Sequence, residues 1–325
     1  MKLHTNPTLF KQAITVTSQQ IGLPEIYIEK DYWVTVALHT IYSNEIGKQA
    51  VFKGGTALSK CHQIIERFSE DIDLVVFKNE NENGNDLKRK IKEISKIVGA
   101  VIPEIQKEGI TNKMGMIRKT AHEYPKLFSG NFGQVRSEII IEASWLGHFE
   151  PYNLKQINAY IYDMMFKTGQ QKLAEQYVML PFEVMVLDIK RTFCEKIMSL
   201  VRFSNGEMPI ENLNNKIRHT YDLHLLLKNK DVITFFNSTK FDKMLLDVAQ
   251  HDVVSFKNNN EFLKQHPKEA LLFIQPEETW TKLKSTYNGS FKELVYGDFP
   301  DESEILKTVL LIASRLEKIN WNLKF

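Results

Sequence analysis

Residues 8–21 set Phe10, Ile14, Val16 and Ile21 among polar side chains, a pattern that predicts an amphipathic helix. Gly22 ends it, and Pro24 opens a second helix running to about residue 42. Residues 50–53 read as a short strand that breaks at Gly54-Gly55. A helix is expected next, carrying Ala57, Leu58, Cys61, Ile64 and Ile65. Residues 71–77 alternate polar and apolar and then become wholly apolar, as a strand entering a core does. The polar stretch 79–85 is a loop, and 86–98 a helix with Lys88, Arg89, Lys90 and Lys92 on a basic face. Strand signals occupy 110–146 and are clearest over 138–145.

Past Pro181 the pattern changes. Residues 189–203, 215–227 and 302–319 all carry helical periodicity, and strand signals become rare. The chain is therefore expected to be α/β (α+β), with a mixed sheet in its N-terminal half and a mostly helical C-terminal half. A soft boundary falls between 165 and 182, giving domains over 1–175 and 176–325.

Composition narrows the class without naming a function. At 325 residues, 43% hydrophobic and 25% charged, the chain buries a large core and is not disordered. Cys61 and Cys194 match no zinc spacing and read as reduced, buried thiols. The N-terminus lacks the apolar stretch of a signal peptide, and no apolar run approaches the roughly 20 residues of a membrane span. A cytoplasmic protein with no membrane part is expected. A net charge of +2 gives no general argument for nucleic-acid binding, so any such contact must come from a local patch. Lys88, Arg89, Lys90, Lys92, Arg118 and Lys119 are the candidates.

Chemistry concentrates in two segments. In FKGGTALSK, residues 52–60, a strand runs through Gly54 and Gly55 into a helix, which offers bare backbone N–H groups to phosphate oxygens. Thr56 adds a hydroxyl and Lys60 a positive charge. In RFSEDIDLVV, residues 67–76, Asp71 and Asp73 are two apart on a strand, so both carboxylates leave one face. Side by side they repel unless a cation lies between them, and Mg²⁺ suits that place because it takes a few carboxylates and leaves room for water and phosphates.

Together the two segments resemble the polymerase-β-like nucleotidyltransferases. More narrowly, FKGGTALSK followed by ERFSEDIDL resembles the AbiEii family of abortive-infection and toxin–antitoxin systems, which includes the MenT toxins. IEKDYW (28–33), RTFCEKIMSLVR (191–202) and RHTYDL (218–223) are similar to further segments of that family, His219 included, so the resemblance spans about 28–227. It implies a nucleotidyltransferase fold and transfer of a nucleoside monophosphate from an NTP to an acceptor. It also implies that Asp71 and Asp73 ligate the metal, that Ser69 lines the triphosphate pocket, and that Lys196 and Asp222 complete the active site, the helical domain closing its cleft. By the same resemblance the acceptor is the 3′ end of a tRNA or another RNA, and a cognate antitoxin is encoded nearby.

A third carboxylate on a neighbouring strand is common in this fold. Glu142 and Glu138 share a face of the strand 138–145, and the choice between them stays open. Arg67 and Glu70 read as surface or structural residues. Two other classes fit the same residues: transfer to a small molecule or protein side chain, which acceptor assays separate, and a non-catalytic nucleotide-binding protein, against which the clustered acids argue.

Overall fold

Three runs of apolar residues become the centre of one sheet. The computed structural model describes residues 1–133, 135–257 and 259–325. Its strands are β1 (Ala50–Lys53), β2 (Ile72–Val76), β3 (Glu104–Ile105), β4 (Ile117–His122), β5 (Ile139–Ser144), β6 (Tyr152–Ile157) and β7 (Phe182–Leu187). They form a seven-stranded mixed sheet in the order β3-β4-β5-β2-β1-β7-β6. Strands β1, β2 and β5 lie inside it and are almost wholly apolar, as strands covered on both faces are. Strand β6 is an edge, and its exposed, mixed sequence gives little apolar signal.

The helices before and beside the sheet are α1 (Pro7–Ile21), α2 (Glu25–Tyr42), α3 (Gly54–Lys60), α4 (Gly84–Gly99), α5 (Tyr160–Lys167) and α6 (Gln171–Gln176). Helix α1 starts with an Asn6 cap and a proline in its first turn, and it ends at Gly22, whose φ of 79° suits a residue without a Cβ. Its buried face is Phe10, Ala13, Ile14 and Thr17, whereas Val16 is exposed. Helix α4 opens on a reciprocal Asn83–Asp86 capping box. Helix α3 is shorter than its apolar pattern predicts: it ends at Lys60, and Gln63 takes a left-handed φ of 51°, so Ile64 and Ile65 lie beyond it.

The chain divides into two compact units. The sheet unit comprises Met1–Gln63 and Phe68–Leu187, and the helical unit Ile64–Arg67 and Asp188–Phe325. The stretch Phe182–Leu187, expected in the helical half, is the strand β7 of the sheet. The helical unit holds α7 (Ile189–Phe203), α8 (Pro209–Asn214) and α9 (Arg218–Lys228), followed by further helices that end with Glu302–Leu316. Phe193, Phe236 and Phe241 pack together in it, Phe236 edge-on to the other two, with ring centroids 5.1–6.0 Å apart. Among the described residues, no helix is long and apolar enough to cross a membrane.

Candidate active site

Strand pairing assembles a row of charges across the sheet. Lys53 is the last residue of β1 and stands opposite Asp73 of β2. On the other side Asp73 is in register with Glu142 of β5, and Glu142 in turn with Lys119 of β4. The order along the row is cation, acid, acid, cation. The Lys119 ammonium lies 3.0 Å from the Glu142 carboxylate. Asp71 lies just before β2, and the guanidinium of Arg136 approaches it at 3.4 Å.

Of the two glutamates, the strand register sets Glu142 beside Asp73. Glu138 lies before β5, buried and bonded to the Lys107 ammonium and, at 2.9 Å, to the Ser137 hydroxyl.

Burial pushes the Asp73 carboxyl up to about 7, and the neighbouring Glu142 and Asp71 push in the same direction, against Lys53 and Lys119. Burial together with two neighbouring acids outweighs the two lysines, so the charged form of Asp73 would gain from a further cation. The donor set is all oxygen, as Mg²⁺ prefers. Among the described residues no group of three His, Cys, Asp or Glu side chains is placed to hold a metal ion.

The first glycine of the turn serves this acid. Gly54 has a φ of 81°, and a Cβ built on it would overlap the Asp73 carboxylate, with Cγ only 3.2 Å away. Only glycine fits both the backbone and the space. The Thr56 hydroxyl, itself buried, donates to Ser69 Oγ at 3.0 Å, which ties the Gly54-Gly55-Thr56 turn to the segment carrying Asp71.

Lys60 is not in this group, contrary to the expectation of a phosphate contact. Its ammonium is buried 2.5 Å from Asp31 and donates to the Asn158 carbonyl at 3.1 Å. The carboxylate partner comes from α2, far back in the chain, so local sequence gives no sign of it. The whole Glu-Lys-Asp run of α2 is buried in this way. Glu29 accepts the backbone N–H groups of Leu127 and Phe128 at 2.7 and 3.2 Å. Lys30 donates to the Arg136 carbonyl and lies 4.0 Å from Glu70. Asp31 also accepts the N–H of Tyr160 at 2.8 Å. Burial draws the Lys30 ammonium down to about 8, opposed by Glu70, Asp71 and Glu138.

The helical unit holds its own charge cluster. Asp222 of α9, fully buried, accepts two hydrogen bonds from Arg67 at 2.7 and 2.8 Å and one from Lys196 of α7 at 2.7 Å. Burial alone would raise the Asp222 carboxyl, but Arg67 and Lys196 outweigh it and hold it below the usual carboxylate range. Burial lowers Lys196, and Asp222 opposes that shift. His219 lies 3.5 Å from the Lys196 ammonium; burial, then Lys196, depress its pKa strongly, so it is neutral. Asp222 thus pairs with Arg67 across 155 residues of sequence. The i,i+4 contact with Arg218, the simple alternative on a helix, is not its partner.

Three participants escaped the sequence reading. Lys53 carried a signal, as a lone cation ending an apolar strand beside the glycines. Asp31 carried only its place in the segment 28–33 that is similar to the family, and Arg136 carried none, because each meets its partner through the fold. Of the basic residues proposed for nucleic acid, Arg89 pairs with Asp86, Lys90 with Glu82 at 2.5 Å, and Arg118 with Ser95 at 2.6 Å and Glu104 at 3.7 Å. Lys88 and Lys92 are exposed.

Comparison with known proteins follows the same residues. No curated protein sequence matches the chain. Among solved structures, MenT4, a nucleotidyltransferase toxin from Mycobacterium tuberculosis H37Rv, is similar at 15% identity, with 94% of this chain and 96% of that chain covered and a TM-score of 0.48. The family model described as the nucleotidyl transferase AbiEii toxin of type IV toxin–antitoxin systems matches residues 37–307, which include the glycine turn, the acid row, Lys196 and Asp222. The chain belongs to the AbiEii family of nucleotidyltransferase toxins.

Proposed function

We propose that this nucleotidyltransferase moves a nucleoside monophosphate from an NTP to the 3′-terminal hydroxyl of a tRNA, with Mg²⁺ held by Asp71 and Asp73 and with Glu142 beside them. The observation that carries the proposal is the close fit of Gly54 to Asp73, where three carboxylates, Asp71, Asp73 and Glu142, come together. A bound Mg²⁺ supplies charge to activate the acceptor hydroxyl and to stabilise the leaving pyrophosphate. Asp73 and Asp71 provide the oxygen ligands, and Glu142 keeps the field beside Asp73 negative. Gly54 keeps the approach to Asp73 open. Ser69 and Thr56, linked to each other, present hydroxyls next to the Gly55 backbone, a polar surface suited to phosphate oxygens.

The family resemblance supports roles for Lys196 and Asp222 as well, and in the helical unit the Asp222 carboxylate favours the charged form of the buried lysine. The tRNA acceptor and the cytoplasmic setting that goes with it rest on likeness to the MenT toxins. A toxin of this family also implies an antitoxin partner.

The test is incubation of the protein with each α-labelled NTP and total RNA. Label is expected in the tRNA band, lost with EDTA and in Asp71→Asn and Asp73→Asn. Label confined to protein or to small molecules would replace the acceptor, and full transfer by either asparagine variant would remove the metal assignment.

A further inference from the structure

Three cations accompany the acid row, two from strands and one from a loop. Strand register sets Lys53 opposite Asp73 and Lys119 opposite Glu142. Arg136 comes from the loop before β5 and meets Asp71 through a single guanidinium nitrogen at 3.4 Å, with its side chain 40% exposed. A strong guanidinium–carboxylate pair makes two short parallel bonds. Arg67 and Asp222 make such a pair in this same chain, at 2.7 and 2.8 Å. The Arg136 contact is loose by comparison.

Its backbone is not loose. The fully buried Lys30 ammonium donates to the Arg136 carbonyl and lies 4.0 Å from Glu70, the residue before Asp71. One lysine therefore holds the main chain at Arg136 and lies beside the side chain of the residue preceding Asp71. The result is a guanidinium on an anchored stem, weakly bound at its tip.

We propose that Arg136 is a triphosphate-binding residue that screens Asp71 in the metal-free protein and transfers to phosphate oxygens when nucleotide arrives with its cation. This rests on the reading of Asp71 and Asp73 as metal ligands. A divalent cation on Asp71 replaces the attraction felt by the guanidinium with repulsion. The triphosphate brings several negative charges, and the planar guanidinium matches phosphate geometry better than a lysine ammonium does. The long arginine side chain allows the exchange without moving the backbone that Lys30 holds.

Two bindings measured on the same full-length proteins test this, and they are expected to move in opposite directions. Mn²⁺ alone is counted by electron paramagnetic resonance, and inorganic tripolyphosphate with Mn²⁺ by calorimetry, so that no choice of base is needed. Arg136→Gln should bind Mn²⁺ alone about two- to fivefold more tightly, the scale of losing a half-exposed ion pair. It should bind the tripolyphosphate about tenfold or more weakly, having lost a charge-assisted contact. Arg136→Lys keeps the charge without the fork and should fall between the two, which provides the reading if the glutamine variant folds poorly. Affinities that do not change, or that move together, overturn the proposal. A wild-type protein that takes up no Mn²⁺ overturns the metal reading itself and this inference with it, an outcome distinct from a normal wild type and an unaffected variant.

Discussion

Replacing Asp73 by asparagine should stabilise the metal-free protein while abolishing transfer. The carboxyl, ordinarily near 3.8, titrates at about 7 in the fold, raised by burial and by Glu142 and Asp71. Between those two values the folded chain keeps a proton that the unfolded chain releases. Stability contributed by this group is therefore full below about pH 4, falls as pH rises to 7, and stays low above it. Each tenfold change in an ionisation constant is worth about 1.4 kcal/mol, so the charged Asp73 costs the fold at most on the order of 4 kcal/mol at pH 8. Relaxation around a half-buried group makes half of that a fair expectation.

Asparagine keeps the shape and removes the charge. In EDTA at pH 8 the Asp73→Asn variant should melt several degrees above the wild type, and the gap should close towards pH 4.5. Taking the difference between the two proteins cancels every other titration. Adding Mg²⁺ at pH 8 should raise the wild type towards the variant. Thermal melts over this range, with labelled-NTP transfer on the same preparations, make the assay. A variant that melts below the wild type by the same margin at both pH values would refute the reasoning, since it would mean that the Asp73 carboxylate stabilises the metal-free fold.

Gly54→Ala puts a methyl group against the Asp73 carboxylate at a backbone φ of 81°, so it should lose transfer activity and about 1–3 kcal/mol of stability, read by turnover and denaturant midpoint. Lys60→Met leaves Asp31 buried without its partner and should cost about 3–5 kcal/mol; an unchanged melting temperature with a raised KM for NTP would return Lys60 to the phosphates. Lys196→Met leaves Asp222 still paired with Arg67, so its melting temperature should shift little while turnover falls about 10²-fold or more. Asp222→Asn, by contrast, strands two buried cations and should lower stability by about 3–5 kcal/mol.

The segments that the sequence made legible are those whose meaning is local. A strand broken by two glycines, followed by Asp71 and Asp73 two apart on the next strand, is a pattern written within about twenty residues, and it led both to the α/β fold and to the family. What stayed hidden depended on partners far along the chain. Lys60 looks free in sequence because Asp31 precedes it by a whole helix and a strand. Glu138 and Glu142 lie four apart in one apolar run, so periodicity cannot separate them, and it takes the pairing of β2 with β5 to show which stands beside Asp73. Strand β6 was missed because an edge strand with little burial needs few apolar residues. Strand β7 was missed because Pro181 looked like the start of the helical half.

The residues Ile64–Arg67 fold with the helical unit although the chain on both sides belongs to the sheet unit. Arg67 finds Asp222 only 155 residues later, and its backbone bridge partner Val295 later still. A ribosome adding about 5–20 residues per second needs on the order of 8–30 seconds to cover that interval. Throughout it, the stretch leading into Ser69 and Asp71 lacks its anchor at Arg67. Chains released early, from broken messages or stalled synthesis, end without Asp222 and cannot complete that stretch. The segment just ahead of Ser69 and Asp71 therefore reaches its folded state only after most of the chain has been made.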